Sequence, residues 1–217
     1  MHFTGEFETH LTVRLAGDQT VETLRASPPA RGLKCTHIVL ARGRSASQPM
    51  LTRTGRGTLR DELRAAAALR AALGAEGLAV SRVKVEAAPR NEGVPQSDDD
   101  GAAHPPERYF EHHVKLLLGA GTDLAGLAAL AQGHDAHLSH NALRRRDDGR
   151  HERFVTQRCH RVGRATAHDR LDIMLGALRA GGYEVLEVEE EFVVYDSNLS
   201  LDAGWIGPAA ATAGVAR

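Results

Sequence analysis

Cysteine is scarce in this chain: Cys35 and Cys159 are the only two in 217 residues. Two thiols cannot build a disulfide scaffold or a cysteine-rich zinc site, so the fold must stand on its own core. Aromatic residues make up only 4%. That leaves the core to aliphatic side chains and alanine, and it removes the stacking platform that single-stranded nucleic acid needs. An excess of one charge is missing too. Lys+Arg 27 against Asp+Glu 28 gives a net charge of −1, so bulk electrostatics does not draw in nucleic acid or an acidic membrane. No apolar run reaches bilayer-spanning length and no charged-then-apolar leader opens the sequence. A soluble cytoplasmic protein with no membrane partner is the expectation.

What is present is repetition. Arg53, Gly55, Arg56, Thr58 and Asp61 recur 108 positions on as Arg161, Gly163, Arg164, Thr166 and Asp169. Threonine with a carboxylate three residues later approximates a helix capping box, and an amphipathic helical pattern follows each copy. A turn that brings two arginines to a helix N-terminus is a physically sound anion site. Arg53, Arg56, Thr58, Arg161, Arg164 and Thr166 are therefore candidate ligand-binding residues.

The repetition extends beyond the turn. Residues 7–13 alternate as a strand and are echoed by 110–116; a short helix follows each. Strands at 35–40 and 136–139 come next, then strands running into the two Arg-Gly-Arg turns. Apolar positions Leu59, Leu63, Ala66, Leu69 and Leu73 keep helical spacing, as do Leu171, Met174, Leu175 and Leu178. Gly77 and Gly182 suit helix C-caps ahead of the last strands, 80–86 and 185–194. Each half reads β-α-β-β-α-β, so the expected fold is α+β, an internal duplication of two ferredoxin-like units. The expected divisions are repeat one at 1–89, a flexible Pro/Gly/Ser/Asp-rich linker at 90–106, repeat two at 107–194 and a C-terminal extension at 195–217. That extension holds the only tryptophan, Trp205, and could cover a groove; its last residues look frayed.

A sheet with helices on one face leaves the other to be covered or wet. Alternation puts Glu8, His10 and Thr12 on one side of the first strand. If polar sides face together, Glu8, His10 and His37 lie on the helix-free face, with Glu111, His113 and His137 as their images. Glu8, His10 and His37 are plausible metal ligands by chemistry. No spaced ligand motif supports them among 12 histidines, so neither metal nor cofactor is assigned.

Two family resemblances attach to these residues. The 2H phosphoesterases are two-lobed duplicated proteins whose lobes each offer a strand motif His-hydrophobic-[Thr/Ser]-hydrophobic. His137-Leu138-Ser139-His140 resembles that motif in its first three positions, and His37-Ile38-Val39-Leu40 resembles it but lacks the hydroxyl. His10-Leu11-Thr12-Val13 fits it fully. The resemblance implies His37 and His137 as base and acid in metal-independent phosphodiester chemistry, with Thr12 and Ser139 touching the phosphate. The second resemblance is to triphosphate tunnel enzymes of the CYTH class, whose first strand carries Glu-x-Glu-x-Lys. Glu6-Phe7-Glu8-Thr9-His10 is similar, with His in place of Lys, although basic-rich strands are not evident.

The leading expectation is a protein that binds a phosphorylated small molecule or nucleotide in a groove between the repeats. An interaction module using open sheet faces is the alternative. RNA binding through the basic segment 144–170 ranks third, and oligomeric state is not encoded in any motif.

Overall fold

The computed structural model describes residues 2–144 and 146–206; the end of the C-terminal extension, 207–217, lies outside them. The chain is α+β, with eight antiparallel strands and five α-helices among the described residues. The first half holds β1 (Thr4–Arg14), α1 (Val21–Ala26), β2 (Lys34–Leu40), β3 (Ser47–Thr58), α2 (Leu59–Ala75) and β4 (Ala79–Ala87). Then come α3 (Asp98–Ala103), β5 (Tyr109–Leu118), α4 (Leu124–Gln132), β6 (Ala136–Asn141), β7 (His151–His160), α5 (Arg164–Ala180) and β8 (Glu184–Asp196). The strands close into one barrel in the order β1-β3-β2-β6-β7-β5-β8-β4, with β4 returning to β1.

Closure follows from the edges. Each half builds a four-stranded sheet, in order β4-β1-β3-β2 and β8-β5-β7-β6, and an unpaired edge strand exposes a row of backbone donors and acceptors. Here β2 pairs with β6 and β4 with β8, both antiparallel, so no edge remains.

The helices lie outside this wall. Helix α2 starts at Thr58, whose hydroxyl accepts from the Asp61 amide while Asp61 accepts from the Thr58 amide, a complete capping box. Its run of alanines favours helix, and it buries Ala66 and Leu73 over the Phe7, Leu11 and Val85 side of the sheet. Helix α5 buries Leu171, Met174, Leu175 and Leu178 over Val114, Leu116 and Val155, while Ala167 at its start joins the cluster of Phe110 and Cys159. Both helices end as expected: Gly77 (φ 75°) and Gly182 (φ 78°) take the left-handed conformation.

The connection 90–106, expected to be flexible from its composition, carries α3 and is tied to the body. Val94 and His104 are buried. The Asn91 side chain bonds the Glu6 backbone at both N and O. Gly101 and Gly163 let α3 and the turn before α5 approach so closely that a Cβ on either would strike backbone. Composition alone does not show such close contacts.

Candidate functional site

Antiparallel pairing puts opposed residues on the same side of the wall, which sorts the interior from the exterior. Thr9 opposes Arg53 and both meet Glu62 of α2, outside. Glu8, His10 and Thr12 therefore face inward, with Thr54, Thr52 and Met50 beside them on β3 and Glu86, Lys84 and Arg82 on β4. In the other half Glu111, His113 and Lys115 oppose Glu191, Glu189 and Glu187 on β8 and Arg158, Thr156 and Phe154 on β7. The lumen is thus lined by charge, around a cavity of about 310 Å³.

At its centre the two Glu-x-His strands converge. His10 Nδ1 lies 2.8 Å from Thr52 Oγ1 and His113 Nδ1 lies 3.0 Å from Thr156 Oγ1. Each bond aims Nε2 inward. His10 Nε2 reaches Glu86 at 2.5 Å, and His113 Nε2 reaches Glu111 at 3.2 Å and Glu191 at 3.7 Å. Lys84 Nζ bridges Glu86 (2.6 Å) and Glu111 (2.7 Å), while Arg158 Nε holds the other Glu111 oxygen at 2.6 Å.

These pairings split the carboxylates. Burial alone would raise Glu86, but Lys84 and His10 outweigh it and hold the group below the usual range. Glu111 is held low in the same way by Arg158 and Lys84. Glu191 goes the other way, pushed well up by burial and by the negative charge of Glu86. One carboxylate of the centre is left without enough positive charge.

One end of the lumen is plugged. The segment after β8 turns in, and Asp202 accepts from Arg82 Nη1 (3.0 Å), Arg158 Nη2 (2.7 Å) and Gln48 Nε2 (3.2 Å). Trp205 is buried, and its indole N–H donates to the Leu138 carbonyl at 3.0 Å. The extension thus packs its tryptophan against β6 and its Asp202 between Arg82 and Arg158.

The other end opens at a rim. Arg56 and Arg164, from the two Arg-Gly-Arg stretches, line one cleft together with Arg90, Glu6 and Glu190. Beside it, a hollow shares Arg56, Glu6 and Glu190 with that cleft, and Glu8 and Glu191 with the lumen. The rim and the centre are therefore joined. The Arg164 Nε is buried with no hydrogen-bond partner among the described residues.

Several expected roles are corrected. His37 opposes Pro49, one position out of phase with the lumen-lining Thr36 and Ile38, so it sits on the outer face, bonded to Ser47. His137 shares the inner side with Ser139, at the plugged end beside Trp205 and Arg42. The pair stands on opposite faces of the wall and cannot act together as acid and base. The error lies in β2, where polar residues occupy both phases and Cys35 packs outward. Arg53 is bound to Glu62 under α2 and is structural. Thr58 is the α2 cap.

The second Arg-Gly-Arg turn differs from the first. Helix α5 begins at Arg164, a full turn earlier than α2 by the repeat offset, and Gly163 is its N-cap. The expected Thr166 cap does not form. Instead Asp98 of α3 accepts from the Gly163 amide (2.8 Å) and the Thr166 hydroxyl (3.0 Å). An anion does sit at this helix start, and it is the protein's own. Arg161 is exposed with φ 56°. Thr12 and Ser139 face inward.

Sequence reasoning missed Lys84, Glu86, Arg158 and Glu191. The signal was the charged alternation of residues 82–86 and 187–191, but which strands neighbour them depends on barrel closure.

No known family matches the chain, and no curated protein matches it. Among solved structures, it is similar to a chlorite dismutase from Candidatus Nitrospira defluvii, at 14% identity and TM-score 0.29, covering 92% of this chain and 93% of that one. It is also similar to a dye-decolorizing protein from V. cholerae, at 11% identity and TM-score 0.27, covering 91% and 96%. Likenesses this loose leave the site to be read from its own residues.

Proposed function

We propose that the protein binds a phosphorylated small molecule or nucleotide at the open rim of the barrel, with its anionic group on Arg56 and Arg164. The observation that carries this is the meeting of these two arginines in one cleft continuous with the lumen, although 108 positions separate them. Inside, Lys34, Lys115 and Arg144 line the lumen together with Glu8, Glu187, Glu189 and Glu191, and Lys115 is paired with Glu187.

The same reading includes a duplicated origin of two ferredoxin-like halves. Its support is the matched set Glu8, His10 and Thr52 against Glu111, His113 and Thr156, in the same registers of corresponding strands. The interaction-module alternative loses its surface, because barrel closure turns both helix-free faces inward. For RNA, the basic segment is divided: Arg158 is buried on Glu111 and Asp202, while Arg146 and Arg150 are engaged by Asp148.

The test is calorimetric titration, with chelator present, of inorganic tripolyphosphate and a nucleoside triphosphate. Arg164→Ala and Arg56→Ala should each weaken binding by about 1.5–3 kcal/mol, the range for charge-assisted contacts. Equal affinity in wild type and the double variant would end this reading.

A further inference from the structure

Beside the seam where β2 meets β6 lies a separate cleft of about 440 Å³. Arg25, Arg31 and Arg144 line it together with Leu33, Cys35 and Asn141, and no carboxylate does. The lumen and the rim, by contrast, mix their cations with several glutamates. The seam cleft shares no lining residue with the rim cleft of Arg56 and Arg164. We propose that it is a second oxyanion site, taking a phosphate group on the outer side of the seam.

The charge comes first. Arg25, Arg31 and Arg144 enter no ion pair or side-chain hydrogen bond among the described residues. Arg25 complements the C-terminus of α1, in whose last turn it lies. Glu187 feels the Arg144 charge across the lumen mouth, but its own bond is to Lys115 at 2.6 Å. Three guanidiniums thus face one cleft with no carboxylate in its lining to balance them.

The backbone that carries them is already set. Pro28 and Pro29 open the turn before Arg31, whose amide donates to the Pro28 carbonyl at 3.3 Å, and Gly32 follows at φ 79°. Across the seam, Asn141 Oδ1 accepts from the Leu143 amide and the Arg144 amide donates to the Asn141 carbonyl, both at 3.1 Å. An arriving anion therefore orders side chains only, which keeps the cost of binding low.

The cleft also spans the two halves of the chain, with Arg25 and Arg31 on one side and Arg144 on the other. Three residue pairs join β2 to β6, where nine join β1 to β3. Backbone bonding runs on to Ala142, which donates to the His37 carbonyl at 2.8 Å, and among the described residues it ends there. A phosphate held by Arg31 and Arg144 continues the seam with charge-assisted bonds where the ladder stops. Leu33 and Leu143 add an apolar wall, so a small phosphate monoester fits the same chemistry as free phosphate.

The test uses the Arg56→Ala/Arg164→Ala double variant as background, which removes the rim arginines and keeps the two sites apart. At constant ionic strength in chloride it is titrated with inorganic phosphate and, in a second arm, with ribose 5-phosphate, followed by backbone amide NMR. Saturable shifts are expected at the amides of Gly32, Leu143 and Arg144. Hydrogen exchange at the Ala142 amide should slow at saturation as the seam tightens. Arg31→Ala and Arg144→Ala should each weaken phosphate binding about tenfold, the size of one lost charge-assisted contact. Arg31→Lys should recover part of the loss, because it keeps the charge without the planar fork. All three arginines are exposed, so each variant should melt with the background protein. Tighter binding of the ester places its organic part on Leu33 and Leu143, and equal binding assigns the cleft to free phosphate. Shifts that chloride reproduces at equal ionic strength, or an affinity unchanged when Arg31 and Arg144 are both replaced by Ala, would overturn the site.

Discussion

Inward-facing histidines with opposite surroundings show how much a single position decides. His10 and His113 face carboxylates. His137, on the same inner surface, faces cations instead: burial, then Arg42, then Arg158 depress it to about 4. At neutral pH it is a neutral ring packed near Trp205. The folded value lies below the unfolded value of about 6.5, so the unfolded chain binds more protons between those two points. Stability from this group is complete above pH 6.5 and is lost as pH falls toward 4. Urea midpoints at pH 7.5 and pH 5 should differ more for wild type than for His137→Gln, which carries no titrating ring; equal differences would show that His137 is not held neutral. The alternation of β6 was enough to place His137 and Ser139 on one side. The phase of β2 was not readable in the same way, because Thr36 and His37 are both polar and the packing of Cys35 decides which faces out.

At the scale of elements, the strands, the two long helices and their glycine C-caps were legible, because alternation, helical spacing and left-handed glycine are local properties. The start of α5 was not. Thr166 and Asp169 imitate the Thr58–Asp61 capping box, but α3 reaches across from another part of the chain and supplies Asp98 as the acceptor. That docking rests on two bare glycines. A Cβ on Gly101 would come within 2.2 Å of the Val162 carbonyl oxygen, which is backbone and cannot swing aside. Gly101→Ala should therefore cost about 1–3 kcal/mol, the range for overpacking a tight contact, measured by urea denaturation. Lifting α3 also removes Asp98 from the Gly163 amide, so hydrogen exchange at Gly163 should quicken in this variant. A stable Gly101→Ala protein with unchanged exchange would mean that α3 does not anchor the turn.

The whole molecule is a barrel because two sheets, each with two open edges, share them. Sequence could announce the two halves but not their closure, since nothing local in β2 or β4 names β6 or β8 as partner. The lumen chemistry was hidden for the same reason: Lys84 meets Glu111 only across the closed wall. Closure also makes one plug decisive. Arg82 and Arg158 are both nearly inaccessible, and Asp202 sits between them with Gln48 as a third donor. Asp196 still pairs with Arg82 and Glu111 with Arg158 when Asp202 is lost, so removal leaves each cation underpaired but not bare. Asp202→Asn keeps the shape and removes the charge. Breaking one partner from a buried pair typically costs about 3–5 kcal/mol, and the remaining carboxylates put the expected loss near the low end. The lone Trp205 reports the event, because its buried indole is held by the Leu138 carbonyl and its own carbonyl by Arg42. In Asp202→Asn its emission should shift to the red under native conditions, with a lowered urea midpoint, while Arg56→Ala at the opposite end should leave the emission unchanged. Wild-type emission in Asp202→Asn would mean that the tryptophan stays seated without the charge network, and the plug would then be held by apolar contact alone.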